Sequence, residues 1–140
     1  MPSFKIGQRD VGDGSPTYFI ADISANHDGD LSRAIDLVHL CAEAGAEGAK
    51  FQHFRASKIV SDHGFKELGN RLSHQAKWGK SVFEVYEDAS LDWGWTEDLK
   101  NACHDAGIDF FSSAYDFEAV DMLDAYVDVF KIGSGDIDWT

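Results

Sequence analysis

Two lysines stand inside otherwise apolar runs, Ala49-Lys50-Phe51 and Phe130-Lys131-Ile132. A buried ammonium is costly unless an opposite charge or strong acceptors meet it. Serines accompany them: Ser113 closes one apolar run, and Ser134 follows Lys131 by three residues. Two lysines with serine hydroxyls at one rim make an anion site, with phosphate or carboxylate as guest. Either lysine alone reads equally well as a strand-end side chain reaching for water. Asp22, inside residues 18–23, could orient a substrate hydroxyl, move a proton, or pair with one of the lysines. Gln52 offers a donor and an acceptor, which suits a sugar or amide group as well as a satisfied core amide. Asp136 adds a second acid beyond Lys131.

Other chemically able residues show weaker patterns. The histidines have no HExxH-type spacing, and His39 and His104 fall on helical stretches as surface residues. Asn26-His27 follows an apolar run directly, where it either faces a site or caps a loop. Asp28-Gly29-Asp30 lacks the acidic spacing of a calcium loop. Cys41 and Cys103 sit far apart inside helical patterns, as packing thiols in a reducing compartment, with the cytoplasm the default.

The elements that must position these groups alternate. Residues 4–12 alternate weakly and end in Gly12-Asp13-Gly14, which predicts a short hairpin or strand. Residues 18–23 form a short apolar run, a buried parallel strand. Asp30 is an N-cap for a helix carrying Leu31, Ile35, Val38 and Ala42 on one face, with Gly45 as its stop. Residues 48–54 are a second strand. Residues 55–94 are less regular, with a short helix over 81–89. The stretch 61–80 is too long for an idle connection. Thr96 is expected to cap a helix with Leu99, Ala102, Cys103 and Ala106 inward and Gly107 at its end. Residues 108–113 are a third strand. Asp116 caps a helix with Ala119, Val120 and Leu123 inward, and residues 127–132 are a fourth strand.

Strands alternating with helices imply right-handed βαβ units and a parallel sheet. Four strands are half of the eight, in about 250 residues, that a TIM-type (β/α)8 barrel needs. The last strand has no covering helix after it, so the 140 residues read as roughly the first four β/α units of a longer barrel. In such folds the chemistry gathers at the C-terminal ends of the strands, which is where Asp22, Lys50, Gln52, Ser113, Lys131, Ser134 and Asp136 fall.

Composition sets outer bounds. With 44% hydrophobic and 13% aromatic residues the chain can bury a core. A net charge of −13 excludes a broad basic face for nucleic acid or anionic membrane. No apolar run approaches the roughly 20 residues of a membrane span, and residues 1–5 do not open a signal peptide.

Taken together, the motifs carry a resemblance. Phe4-Lys5-Ile6-Gly7, then Ala21-Asp22-Ile23-Ser24-Ala25-Asn26-His27-Asp28-Gly29-Asp30, then Ala44-Gly45-Ala46 and Ala49-Lys50-Phe51-Gln52, resemble the N-terminal half of the sialic acid synthases. Trp78-Gly79-Lys80, Phe111-Ser112-Ser113 and Phe130-Lys131-Ile132-Gly133-Ser134-Gly135-Asp136 continue it in the same order. The family comprises N-acetylneuraminate, legionaminate and pseudaminate synthases. The resemblance implies a βα barrel followed by an antifreeze-like domain, usually in a domain-swapped homodimer. Residues 1–140 would be the N-terminal half of that barrel domain. It implies condensation of phosphoenolpyruvate with an open-chain N-acetylated amino sugar such as N-acetylmannosamine, assisted by Mn²⁺ or Mg²⁺. Carried over by motif, Lys50 and Lys131 bind phosphoenolpyruvate with Ser113 and Ser134. Gln52 and Asp22 hold the sugar, and Asp136 sits beside the reacting carbons. The metal ligands of the family lie in the second half of the barrel, so these 140 residues alone are expected to be inactive. Many members carry Glu at the positions of Asp22 and Asp136 and Thr-Pro at Ser113-Ala114. These departures bear on the sugar more than on the reaction. Two other readings stay open: a Schiff-base aldolase using Lys50 or Lys131, and a non-catalytic half-barrel that binds or assembles.

Overall fold

The computed structural model describes residues 3–68, 79–134 and 137. It opens with an antiparallel hairpin of β1 (Phe4–Ile6) and β2 (Arg9–Val11), paired Ile6 to Arg9 across the Gly7-Gln8 turn. The remaining strands, β3 (Ile20–Asp22), β4 (Gly48–His53) and β5 (Asp109–Ala114), form one parallel sheet in that order.

Helices connect them. After β3 comes α1 (Leu31–Glu43), capped by the Asp30 carboxylate, which accepts the Arg33 amide. After β4 come α2 (Ala56–Ile59), α3 (Asp62–Leu68) and α4 (Val82–Asp88). The stretch read as irregular thus carries three short helices; residues 69–78 of it lie outside the described residues. Ser81 and Glu84 close a capping box on α4. A 3-10 turn, Trp93–Trp95, leads into α5 (Thr96–Asp105), and α6 (Phe117–Leu123) follows β5.

The helices α1 and α5 end alike. Gly45 (φ +87) and Gly107 (φ +73) take the left-handed conformation, and the next amides, Ala46 and Ile108, reach back to the Cys41 and Cys103 carbonyls. This closing pattern favours a residue without Cβ, because the left-handed conformation strains most side chains. It turns the chain directly into β4 and β5.

Four expectations are corrected. The strand read at residues 18–23 is not buried: β3 pairs with β4 alone, and Phe19 and Ile20 are 61% and 42% exposed. Thr96 is not a cap: it is the first residue of α5, and its buried hydroxyl donates to the Trp93 carbonyl. The 3-10 turn ahead of it runs straight into the helix, and its Trp93 carbonyl also accepts the Thr96 amide. Val120 on α6 is 39% exposed, while Ala119 and Leu123 are buried; a seven-residue helix has room for one narrow apolar stripe. Residues 127–132 are not a full strand. They touch the sheet through one parallel bridge, Ser113 to Lys131, because bends at Asp128 and Val129 break the extended run ahead of it.

Strand parity divides the sheet. Ala49, Phe51 and Phe110 join Val38 of α1, Leu99 and Cys103 of α5 and Leu123 of α6 in the core. Fully burying side chains such as Phe51, Leu99 or Leu123 stabilises by roughly 1.5–3 kcal/mol each. The alternate residues, Gly48, Lys50, Gln52, Phe111 and Ser113, face the other way and contribute nothing to that cluster. The lower end of this second face is floored by Tyr18, whose ring meets Phe111 edge-on at 6.0 Å, and by Gly7 against Asp109.

Candidate functional site

The second face carries its polar groups at the C-terminal ends of the strands, in two tiers. The register places Asp22 beside Lys50, and Gln52 beside Ser113, which in turn bridges to Lys131. In the lower tier, the Lys50 ammonium donates to Asp22 Oδ1 at 2.8 Å. The lysine side chain is 11% exposed and the aspartate 58%. The pair therefore satisfies one lysine proton from the solvent side, and the charge that apolar flanks make expensive is compensated. In the upper tier, Ser24 donates to Gln52 Oε1 at 2.8 Å, and Gln52 Nε2 donates to the Tyr115 hydroxyl at 3.2 Å. Ser113 is buried, and Lys131 is half-buried at the sheet's edge.

The structure thus brings Asp22, Lys50, Gln52, Ser113 and Lys131 to one face and one end of the sheet. Ser134 is exposed in the turn that follows Lys131. Asp136 lies outside the described residues.

The sequence reading assigned no role to Ser24 or Tyr115. For Tyr115 the signal was present: it stands two residues beyond Ser113 and one past the end of β5, so strand parity points it to this face. Ser24 lies in the turn two residues past the end of β3, where alternation no longer applies. Ser24 also holds φ +51, a left-handed conformation unusual for a residue with a side chain. It is pinned there because the amides of Ile23 and Ser24 share the Lys50 carbonyl, at 2.9 and 3.2 Å.

The neighbouring histidines are structural. His53 alternates with Gln52 and points to the helix-covered side, fully buried. Its Nδ1 meets the Ser112 hydroxyl at 2.6 Å and its Nε2 the Thr96 hydroxyl at 2.9 Å. Burial pushes its pKa down from 6.5 to about 4, so the ring is neutral. It ties β4 to β5 and to the start of α5. His27 is also buried; its Nδ1 accepts the Gly29 amide at 3.1 Å and its ring meets Trp95 edge-on. Burial lowers its pKa too. It closes the turn between β3 and α1. His39 and His104 are exposed on their helices. Burial pushes the Cys103 thiol up to about 12 and raises Cys41 as well, so neither is a nucleophile.

A divalent metal needs several converging donors. Among the described residues no group of three or more His, Cys, Asp or Glu side chains meets that need. Among them, too, no helix is long and apolar enough to cross a membrane.

A parallel α/β sheet with polar side chains gathered at its strand C-termini defines the class of enzyme-bearing βα folds. Within that class the chain belongs to the NeuB family, whose model matches residues 37–140. It is 33% identical over 127 residues to N-acetylneuraminate-9-phosphate synthase of Homo sapiens, covering 90% of this chain and 34% of that protein. It is 33% identical over 122 residues to N,N'-diacetyllegionaminic acid synthase of Campylobacter jejuni, covering 86% of this chain and 36% of that protein. A crystal structure of N-acetylneuraminic acid synthetase from Leptospira borgpetersenii, in complex with citrate, superposes with a TM-score of 0.79 at 25% identity. That match covers 96% of this chain and 42% of the other. The chain spans about a third of the length of the curated relatives it matches.

Proposed function

We propose that these residues supply the first strands of a (β/α)8 barrel that condenses phosphoenolpyruvate with an open-chain N-acetylated amino sugar, giving a nonulosonic acid and phosphate. The observation that carries this reading is the placement of Lys50, Gln52, Ser113 and Lys131 on one sheet face at the strand C-termini.

In this reading Lys50 and Lys131 meet the phosphate and carboxylate of phosphoenolpyruvate, with the Ser113 and Ser134 hydroxyls as further donors. A charged, largely buried lysine is preorganised for an anion, because most of its water has already been removed. Gln52 and Asp22 hold the sugar hydroxyls, and Asp22 also pairs with the Lys50 ammonium at 2.8 Å while the anion is absent. The methylene carbon of phosphoenolpyruvate bonds to the aldehyde carbon, and the aldehyde oxygen takes a proton. Water adds to the phosphate-bearing carbon, its C–O bond to phosphate breaks, and the carbonyl forms with loss of a proton. Asp22 and Asp136 are the acids available for those proton movements. Mn²⁺ or Mg²⁺ would polarise the aldehyde in the complete enzyme; the described side chains do not form its site. The working protein is a cytoplasmic homodimer in carbohydrate biosynthesis, and this 140-residue chain by itself binds without turnover.

The test is a titration of the chain with phosphoenolpyruvate, read by backbone amide shifts. We expect shifts at Lys50, Ser113 and Lys131 that disappear in Lys50→Met. An unchanged spectrum at millimolar phosphoenolpyruvate would overturn the assignment. Steady phosphate release by this chain with both substrates and Mn²⁺ would overturn the expectation of inactivity.

A further inference from the structure

We infer that Ser24 and Tyr115 are positioning residues that hold the Gln52 side-chain amide in one plane, and that this fixed amide selects the hydroxyl pattern of the amino sugar. The inference rests on the sugar-binding role proposed for Gln52.

The three residues come from three different strand ends, of β3, β4 and β5, and form one chain of hydrogen bonds across the sheet. An unrestrained glutamine amide turns about a broad terminal torsion. Here a hydroxyl holds each end of it. Serine and tyrosine hydroxyls both donate and accept, so they secure the plane whichever way the amide faces. In the arrangement found, Ser24 donates to the carbonyl oxygen and Tyr115 accepts one amide proton. One N–H and one carbonyl lone pair then remain for a ligand. A donor and an acceptor fixed side by side fit a sugar hydroxyl, which needs both. They fit a carboxylate or phosphate poorly, because such groups only accept.

The geometry of Ser24 supports a role in ligand handling rather than in folding. Its φ of +51 is unfavourable for serine, and glycine would relieve it. A residue serving stability alone would gain from that replacement. The hydroxyl is the feature glycine lacks, and its partner is Gln52.

Two variants separate the possibilities. Ser24→Gly removes one hydroxyl while relaxing the backbone; Tyr115→Phe removes the other while keeping the ring that packs on Phe54. The first readout is the ¹⁵N order parameter of the Gln52 side-chain amide in the 140-residue chain. We expect a rigid value in the parent and a clear drop in each variant. The second is affinity for N-acetylmannosamine and, separately, for phosphoenolpyruvate. We expect sugar affinity to fall about five- to tenfold, the scale of one hydrogen bond, with phosphoenolpyruvate affinity held within about twofold. Thermal stability of Ser24→Gly should stay level or rise. An order parameter unchanged in both variants overturns the clamp. Equal loss of both ligands together with falling stability also overturns it, as a purely structural effect. If the parent binds phosphoenolpyruvate but no N-acetylated amino sugar while the amide still loosens in both variants, the sugar assignment of Gln52 fails and the clamp survives as geometry.

Discussion

Acid should unfold this protein through His53. The ring is fully buried, holds two hydroxyl partners, and has its pKa pushed down to about 4 by burial, against an ordinary 6.5. The unfolded chain therefore takes up a proton at His53 before the folded chain does. Stability from this group is fully present above pH 6.5 and is lost as pH falls toward about 4. At 1.36 kcal/mol per pH unit, that gap amounts to about 3 kcal/mol. Domains are stable by only about 5–15 kcal/mol, so the loss is large. His27, lowered by burial as well, acts in the same direction. The acidic surface acts in the opposite one: protonating carboxylates relieves the self-repulsion of a chain with net charge −13. Urea midpoints of the parent and of His53→Gln, measured across this range, isolate the histidine. At neutral pH the variant should be less stable by about 1–3 kcal/mol, since one hydroxyl loses its partner. Toward pH 4 the difference should shrink by about 3 kcal/mol and the curves should meet or cross. Parallel curves would refute the reasoning, as would a His53 ring signal that titrates near pH 6.5.

Three further outcomes follow from particular contacts. Lys50→Met should leave stability within about 1 kcal/mol of the parent, because replacing a desolvated paired charge by a methionine costs little, while phosphoenolpyruvate binding is abolished in a titration. Gly48→Ala should destabilise by about 1–3 kcal/mol in urea unfolding, by overpacking, since a Cβ there would stand 2.6 Å from the Phe111 ring. Asp116→Ser should be neutral or stabilising by melting temperature. Asp116 Oδ1 caps α6 through the Ala119 amide at 2.7 Å, but its Oδ2 is buried with no hydrogen-bond partner among the described residues. Serine keeps the cap and removes the stranded oxygen, whereas Asp116→Ala should lose about 1 kcal/mol of capping.

The sheet was legible in the sequence because its strands are short apolar runs bounded by glycine stops and N-caps, signals that act within a few residues. Asp30, Asp116, Gly45 and Gly107 all do in the structure what their local chemistry dictates. The edge at residues 127–132 was not legible: those residues have strand composition, yet a strand also needs partners, and composition does not report them. The polar end of the sheet was partly legible. Lys50 is informative because charge in an apolar run has a cost that something must offset, and Asp22 offsets it at 2.8 Å. Gln52 and His53 look alike in sequence, two polar residues side by side in a strand. They part because alternation turns one toward the polar face of the sheet and the other into the core, where Ser112 and Thr96 satisfy it. The same alternation separates Ser112 from Ser113. A strand therefore specifies a site by parity as much as by residue type. Once Lys50 fixes which parity carries the candidate site, Gln52 follows from counting in twos along β4, and Asp22, Ser113 and Tyr115 follow through the register of β3 and β5, while Ser24 is placed by the turn after β3; the structural histidine is excluded by the same count.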